Sequence, residues 1–153
     1  MHIENKVDEI HKELLANEIP YKIDAICNHL GILVAYNNDL NCFMFYKGYP
    51  IIYLKNASKR EMWEQFTHEL GHYVLHETNQ LEMNDMFNNK QEYQAEKFSL
   101  LFQMPQHIIE SEELYTQQSL MAFFNVDYNK ALARLKHLYN AHCDGRGFSH
   151  GSI

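Results

Sequence analysis

The chain has 153 residues, of which 46% are hydrophobic and 13% aromatic, so it can bury one hydrophobic core and is not expected to be disordered. Its 13 basic and 20 acidic side chains give a net charge of −7, which argues against direct binding to nucleic acids. Three widely spaced cysteines, with neither a signal-peptide pattern nor a long apolar run, predict a cytoplasmic protein that does not enter the membrane.

The first part of the chain predicts two helices followed by a small sheet. Apolar residues recur at helical spacing over 3–16, and residues 22–30 form a second, shorter helical pattern that Gly31 ends. Three short β-prone runs follow, and turn residues separate them. These runs are 32–36, 42–46 and 51–54. We therefore expect a three-stranded, mainly antiparallel sheet.

The second part of the chain is predicted to be helical. A capping-box pattern predicts a long helix over 59–76, and the polar, asparagine-rich segment 78–90 is predicted as a loop. Three further helices are expected. They lie at 91–103, 106–123 and 127–140. The order of elements predicts an α+β fold with five to six helices, one domain over residues 1–142 and a mobile tail over 143–153.

One motif in the long helix carries chemistry. Residues 68–72 read His-Glu-Leu-Gly-His, the H-E-x-x-H pattern of zinc hydrolases. His68 and His72 are separated by only about 40° around a helix, so their imidazoles can bind one Zn²⁺. Glu69 lies on the flank of that face, where it can act as general base toward a water molecule rather than bind the metal. Gly71 is unfavourable inside a helix, which indicates that substrate or a strand approaches closely there.

A catalytic zinc site needs a third protein ligand, and the helix predicted at 91–103 offers two candidates. Glu92 and Glu96 share one narrow stripe with small residues on an otherwise apolar helix. A metal ion would give these carboxylates a partner, whereas the alternative is that both are solvated on an exposed face. Glu92 is the first choice as ligand. Glu96 is either the ligand itself or a residue that orients a histidine ligand.

Further residues follow the motif in a recognisable order. They are His76, Glu92, Ala95, Phe98, Met104 and Pro105. Together with the motif, they resemble the ImmA/IrrE family of zinc-dependent metallopeptidases over roughly residues 20–140. The resemblance implies a zincin-like fold in which the two motif histidines and a downstream glutamate bind zinc and Glu69 is the general base. Many members cleave or inactivate a helix-turn-helix repressor, so such a repressor is the expected partner.

Two positions depart from the family pattern. Thr67 stands where the family usually has alanine, and it adds a hydroxyl near the site. Gln94 stands where the family often has a second glutamate. Its side chain points about 160° away from Glu96 around the helix, whereas Glu92 lies on the stripe, so Glu92 remains the preferred ligand.

Some assignments stay open at this level. His76 is either a fourth ligand or, more in keeping with its position, a residue that caps the helix or orients a ligand. Tyr93, Tyr115 and His107 are available to stabilise an oxyanion, and no pattern selects among them. Two functions are compatible with the motif. One is a zinc endopeptidase that cleaves a repressor, and the other is a zinc-binding module that inactivates a repressor or antitoxin by binding alone.

Overall fold

The protein is described by a computed structural model that covers residues 3–75 and 85–143. Seven helices and three strands occur in these ranges. In chain order they are α1 (Ile3–Ala16), α2 (Ile23–Leu30), β1 (Leu33–Asn37), β2 (Cys42–Tyr46), β3 (Tyr49–Lys55), α3 (Lys59–Leu75), α4 (Asp85–Gln103), α5 (Gln106–Glu112), α6 (Gln117–Phe124) and α7 (Tyr128–Cys143). This arrangement confirms the predicted α+β fold. Within the described ranges, no helix is long and apolar enough to cross a membrane.

The three strands form one mixed sheet in the order β1-β3-β2. Phe43 of β2 lies opposite Ile52 of β3 in an antiparallel pair, whereas Val34 of β1 lies opposite the same Ile52 in a parallel pair. The prediction of a mainly antiparallel sheet is therefore right for one pairing and wrong for the other. Each turn reverses the chain, so β3 runs in the direction of β1. Because β3 inserts between β1 and β2, its contact with β1 is parallel.

Helix α4 begins earlier than predicted. It starts at Asp85 rather than at residue 91, so the end of the predicted loop 78–90 is helical, while residues 78–84 lie outside the described part of the chain. Asn89 and Lys90 are exposed and polar, so they add nothing to the helical spacing of apolar residues from which α4 was predicted. A helix that is held by packing further along extends into such residues at little cost, because propagation is easier than nucleation.

The segment 106–123 is two helices rather than the single predicted one. Glu113 adopts the left-handed conformation, with φ of 53°, and ends α5. Thr116 then begins α6, because its side chain accepts a hydrogen bond from the Ser119 backbone N–H in a capping box. The break follows from these local caps, which apolar periodicity alone does not detect.

The chain divides into two compact units, Met1–Phe102 and Gln103–Ile153. In the first unit, α3 packs on β2 and β3, α2 packs on β1, and α1 contacts α3. This unit buries one apolar core. Its members are Val7, Ile10, Leu14, Ile26, Cys27, Ile32, Phe43, Ile52, Leu54, Phe66, Leu70, Phe98, Leu101 and Phe102.

In the second unit, α6 and α7 pack together. The buried Arg134 side chain donates a hydrogen bond from Nε to the Met104 carbonyl over 2.9 Å. The single domain expected over residues 1–142 stays a prediction. Of the tail expected over 143–153, residues 144–153 lie outside the described ranges.

Candidate metal centre

Helix α3 positions the motif residues because its start is capped and one of its faces is buried. At its start, the Glu61 backbone N–H donates to Ser58 Oγ and the Ser58 hydroxyl donates to Glu61 Oε1, each over 3.2 Å. On one face, Phe66 and Leu70 are fully buried in the core of the first unit. The motif histidines therefore lie on the remaining face, where they meet side chains of α4.

Gly71 allows α4 to approach α3 closely. A Cβ atom at Gly71 would lie 3.1 Å from Phe98 Cβ and 3.2 Å from Ala95 Cα, both of which belong to α4. The expectation that a close neighbour requires this glycine is borne out, but the neighbour is a helix rather than a strand or a substrate. Small residues at this crossing bring the two helices within reach of each other's polar side chains.

Three of the residues predicted as metal ligands converge across these helices. Glu92 Oε2 accepts hydrogen bonds from His68 Nε2 and from His72 Nε2, each over 2.7 Å. The three ligand atoms all lie within 4.8 Å of one another. Tetrahedral zinc with bonds of about 2.0–2.1 Å separates its ligand atoms by roughly 3.3 Å. A small outward shift of these side chains would therefore accommodate a metal ion, and two imidazoles with one carboxylate are donors that zinc prefers.

Glu96 lies on the other side of the His68 ring. Its Oε1 atom is 2.6 Å from His68 Nδ1, whereas Glu92 approaches Nε2. The contact has the distance of an ion pair without the alignment of a hydrogen bond, since Nδ1 has no hydrogen-bond partner among the described residues. Glu92, rather than Glu96, thus shares the cluster with both histidines.

Glu69 is a buried carboxylate beside this cluster. It is only 3% exposed, and its Oε1 atom makes no hydrogen bond to any described residue. Burial raises the pKa of Glu69 to about 7; the charge of His68 opposes that rise and the charge of Glu92 adds to it. A carboxyl group with such a pKa can both accept and release a proton near neutral pH.

The ligand side chains perturb one another strongly. Burial lowers the pKa of His68, but the neighbouring Glu92 and Glu96 carboxylates raise it by more, to about 10. Hydrogen bonds from His68 and His72 hold the pKa of Glu92 well below its usual range, although burial opposes them. Glu92 is therefore anionic at neutral pH, as a carboxylate ligand to a metal ion must be.

The Thr67 hydroxyl joins the two helices instead of facing the motif histidines. It donates to the Glu64 carbonyl over 3.0 Å and lies 2.5 Å from Ser99 Oγ on α4. Both hydroxyls are buried. The sequence indicated Ser99 only as a small residue on the α4 stripe, so its pairing with Thr67 was missed.

Other candidate residues are less informative. His76 lies outside the described ranges, and Tyr93 is exposed to solvent. Cys42, which the sequence did not single out, is buried at the start of β2, and burial together with the charge of Glu69 raises the pKa of its thiol. No spacing rule connects a strand residue to a helix that follows it, so this proximity could not be predicted.

Comparison with known proteins gives the family. A peptidase family described as the IrrE N-terminal-like domain matches residues 27–136, a range that contains both α3 and α4. The chain is also 33% identical over 116 residues to the phage-like element PBSX protein XkdA of Bacillus subtilis strain 168. That match covers 74% of this chain and 58% of the relative, so the chain spans little more than half of the relative's length. These matches confirm the resemblance noted from the motif residues, and the chain belongs to the ImmA/IrrE peptidase family.

Proposed function

We propose that the protein is a zinc-dependent endopeptidase that cleaves a protein substrate in the cytoplasm. One observation carries the proposal. The ligand atoms of His68, His72 and Glu92 lie within 4.8 Å of one another, and the buried Glu69 carboxylate follows His68 directly in the same helix. A ligand set alone would suit a binding module, whereas a ligand set with an adjacent carboxylate suits metal-assisted hydrolysis.

The ligands would be His68 and His72 through Nε2 and Glu92 through Oε2. Three protein ligands leave one coordination position for water or substrate, which distinguishes catalytic zinc sites from closed structural ones. When bound, zinc polarises a peptide carbonyl and makes water more acidic. The remaining work belongs to the protein, which must orient the ligands and supply a group that accepts and returns a proton.

Glu69 is the proposed general base. Its Oε1 atom, which has no hydrogen-bond partner among the described residues, accepts a proton from the water molecule that attacks the peptide carbonyl carbon. As the carbon–nitrogen bond breaks, the same carboxyl group returns that proton to the leaving amine nitrogen. The water oxygen stays on the new carboxyl group, so one peptide bond and one water molecule become an acid and an amine.

The proposed substrate is a helix-turn-helix transcriptional repressor encoded near this protein's gene. Family membership and the relative named as a protein of a phage-like element support this choice. The net charge of −7 also supports it, because a DNA-binding protein presents a basic surface that an acidic protein attracts. Direct contact with nucleic acid or membrane forms no part of the proposal.

The test compares the zinc-loaded wild type with Glu69→Gln on the repressor encoded beside the gene. The wild type should produce two fragments whose masses sum to that of the repressor plus one water. The variant should keep about one zinc per chain and cleave about a hundredfold to ten-thousandfold more slowly, because it lacks the base. Equal cleavage by both proteins would refute the catalytic assignment.

The same experiment addresses binding without catalysis. A stable complex in which both chains remain intact by mass spectrometry, formed equally well by the wild type and by Glu69→Gln, would contradict the endopeptidase proposal. It would support a module that inactivates its partner by binding. Glu13→Gln, which removes an exposed carboxylate that contacts His29 instead of the motif, serves as the matched control and should behave as the wild type.

A further inference from the structure

We propose that Glu96 is a positioning residue, which accepts a hydrogen bond from the Nδ1–H group of His68 and so holds the Nε2 atom of that ring toward the metal. The inference rests on the proposed function, because it concerns the same site. It assigns to Glu96 a role distinct from that of Glu92, which lies one helical turn before it on α4.

The two nitrogens of His68 face different carboxylates. Nε2 is 2.7 Å from Glu92 Oε2, the atom that also meets His72, so Nε2 is the nitrogen directed into the ligand cluster. Nδ1 is 2.6 Å from Glu96 Oε1. A neutral imidazole that binds a metal through Nε2 carries its proton on Nδ1, so the metal-bound tautomer presents an N–H to Glu96.

That N–H needs an acceptor. The His68 side chain is only 12% exposed, and a buried N–H without a partner is destabilising. Among the described residues, Nδ1 makes no aligned hydrogen bond, and Glu96 Oε1 is the carboxylate oxygen beside it. Such outer carboxylates fix the tautomer and the ring orientation of histidine ligands.

Helix α4 is built to hold His68 from both sides. Glu92 and Glu96 are four positions apart in the sequence, so they project from one face of α4, one turn apart. Ala95, between them, lies against Gly71 of α3, which brings this face close to the motif. One carboxylate therefore reaches each nitrogen of the ring. A solvent-exposed residue without such a role would not need to lie on the face of α4 that packs against α3.

The expected size of the effect follows from exposure. Loss of a residue that orients a metal ligand typically weakens metal binding by about 10–100-fold. The Glu96 side chain is 62% exposed, so solvent screens its charge and the effect should lie near the lower limit. We expect Glu96→Gln, which keeps an acceptor oxygen, to weaken zinc binding less than Glu96→Ala, which removes it.

The experiment measures zinc affinity by competition with a chromophoric chelator for the wild type, Glu96→Gln, Glu96→Ala and Glu13→Gln. Glu13 is the matched control, because its exposed carboxylate also contacts a histidine, His29, at 3.1 Å. Glu96→Ala should bind zinc about tenfold more weakly than the wild type, and Glu13→Gln should bind it equally well. Circular dichroism of each variant should match that of the wild type if the fold is retained.

A spectroscopic signature separates positioning from a general structural effect. In zinc-loaded protein labelled with ¹⁵N-histidine, the His68 ring should show a metal-bound Nε2 and a protonated Nδ1 whose hydrogen-bonded proton is strongly deshielded. Glu96→Ala should lose that deshielding while zinc remains on Nε2.

Three results would overturn the inference. Zinc affinity within twofold of the wild type, with an unchanged Nδ1 proton signal, would show that Glu96 does not act on His68. Loss of zinc stoichiometry in Glu96→Ala together with full binding in Glu92→Ala would make Glu96 the ligand. Absence of zinc binding in the wild type would refute the proposed function itself. This outcome differs from the first two results, because both of those require a wild type that binds zinc.

Discussion

The buried hydroxyl pair between Thr67 and Ser99 should act as one unit that links α3 to α4. The two oxygens are 2.5 Å apart, and Thr67 also donates to the Glu64 carbonyl. These two helices carry the candidate metal ligands. Substitutions in the hydroxyl pair therefore test whether a specific hydrogen bond stabilises the contact between α3 and α4. We consider Thr67→Ala, Ser99→Ala and the double variant, all without added metal so that zinc binding does not contribute to stability.

The magnitudes follow from what each change leaves behind. Thr67→Ala removes the 2.5 Å partner of the buried Ser99 hydroxyl, which keeps its longer, 3.5 Å hydrogen bond to the Glu64 carbonyl, and should cost about 2 kcal/mol. Ser99→Ala leaves Thr67 with its bond to the Glu64 carbonyl and should cost about 1 kcal/mol. The double variant loses the bond between the two hydroxyls once rather than twice, so the loss should be about 2 kcal/mol rather than the additive value of about 3 kcal/mol. The expected coupling is therefore about 1 kcal/mol.

Urea unfolding followed by tryptophan fluorescence provides the assay, because the chain has a single tryptophan, Trp63, and it lies on α3. Thr67→Ser keeps the hydroxyl and removes a methyl group, so it should retain the coupling to Ser99 and serves as the control. A coupling below about 0.3 kcal/mol, which is the scatter expected for independent sites, would refute the reasoning.

Three other changes give distinct expected outcomes. Glu92→Ala should lose most of the zinc that the wild type holds. In urea unfolding, zinc at a hundredfold excess over its Kd should stabilise the wild type by about 2.7 kcal/mol but should not stabilise this variant. Equal stabilisation of both proteins would remove Glu92 from the ligand set. Gly71→Ala should destabilise the protein by about 1–2 kcal/mol and weaken zinc binding. The added methyl group crowds α4, and this cost outweighs the gain of about 1 kcal/mol in helix propensity. A more stable variant would show that α4 can move away without cost. Cys27 is 1% exposed, and burial, with a contribution from Asp24, raises its pKa from 9.0 to about 12. Burial of the neutral thiol therefore contributes its full stabilisation below pH 9, and this contribution falls progressively as the pH rises to 12. By pH 10 the wild type should lose about 1 kcal/mol that Cys27→Ala does not lose, and parallel pH profiles would contradict this.

Features that depend on neighbours in the chain were predictable. The helix predicted over 3–16 is observed at Ile3–Ala16, and the one predicted over 59–76 is observed at Lys59–Leu75. Leu75 is the last residue of the first described range. Apolar spacing and capping residues define such helices within a few turns. Helical periodicity also predicted that His68 and His72 share one face of α3. Glu92 was predicted to join them because a catalytic zinc site needs a third protein ligand, and the three ligand atoms do lie together.

Features that depend on distant segments were not predictable in the same way. Turn residues indicate where strands end but not which strands become neighbours, so the central position of β3 and its parallel pairing with β1 were missed. The role of Ser99 was missed for the same reason, since its partner lies 32 residues away on another helix. In each case the local pattern is compatible with several pairings, and packing selects one.

The candidate centre combines both kinds of information, and Gly71 shows how they meet. The sequence marks the glycine as unfavourable in a helix by about 1 kcal/mol, which implies a compensating contact without saying what makes it. The structure identifies that contact as α4, whose Ala95 Cα would lie 3.2 Å from an added Cβ. If α4 stood farther from α3, Glu92 could not meet both motif histidines at 2.7 Å. A residue without a side chain therefore limits the geometry of the ligands, which is why we expect Gly71→Ala to weaken zinc binding as well as folding.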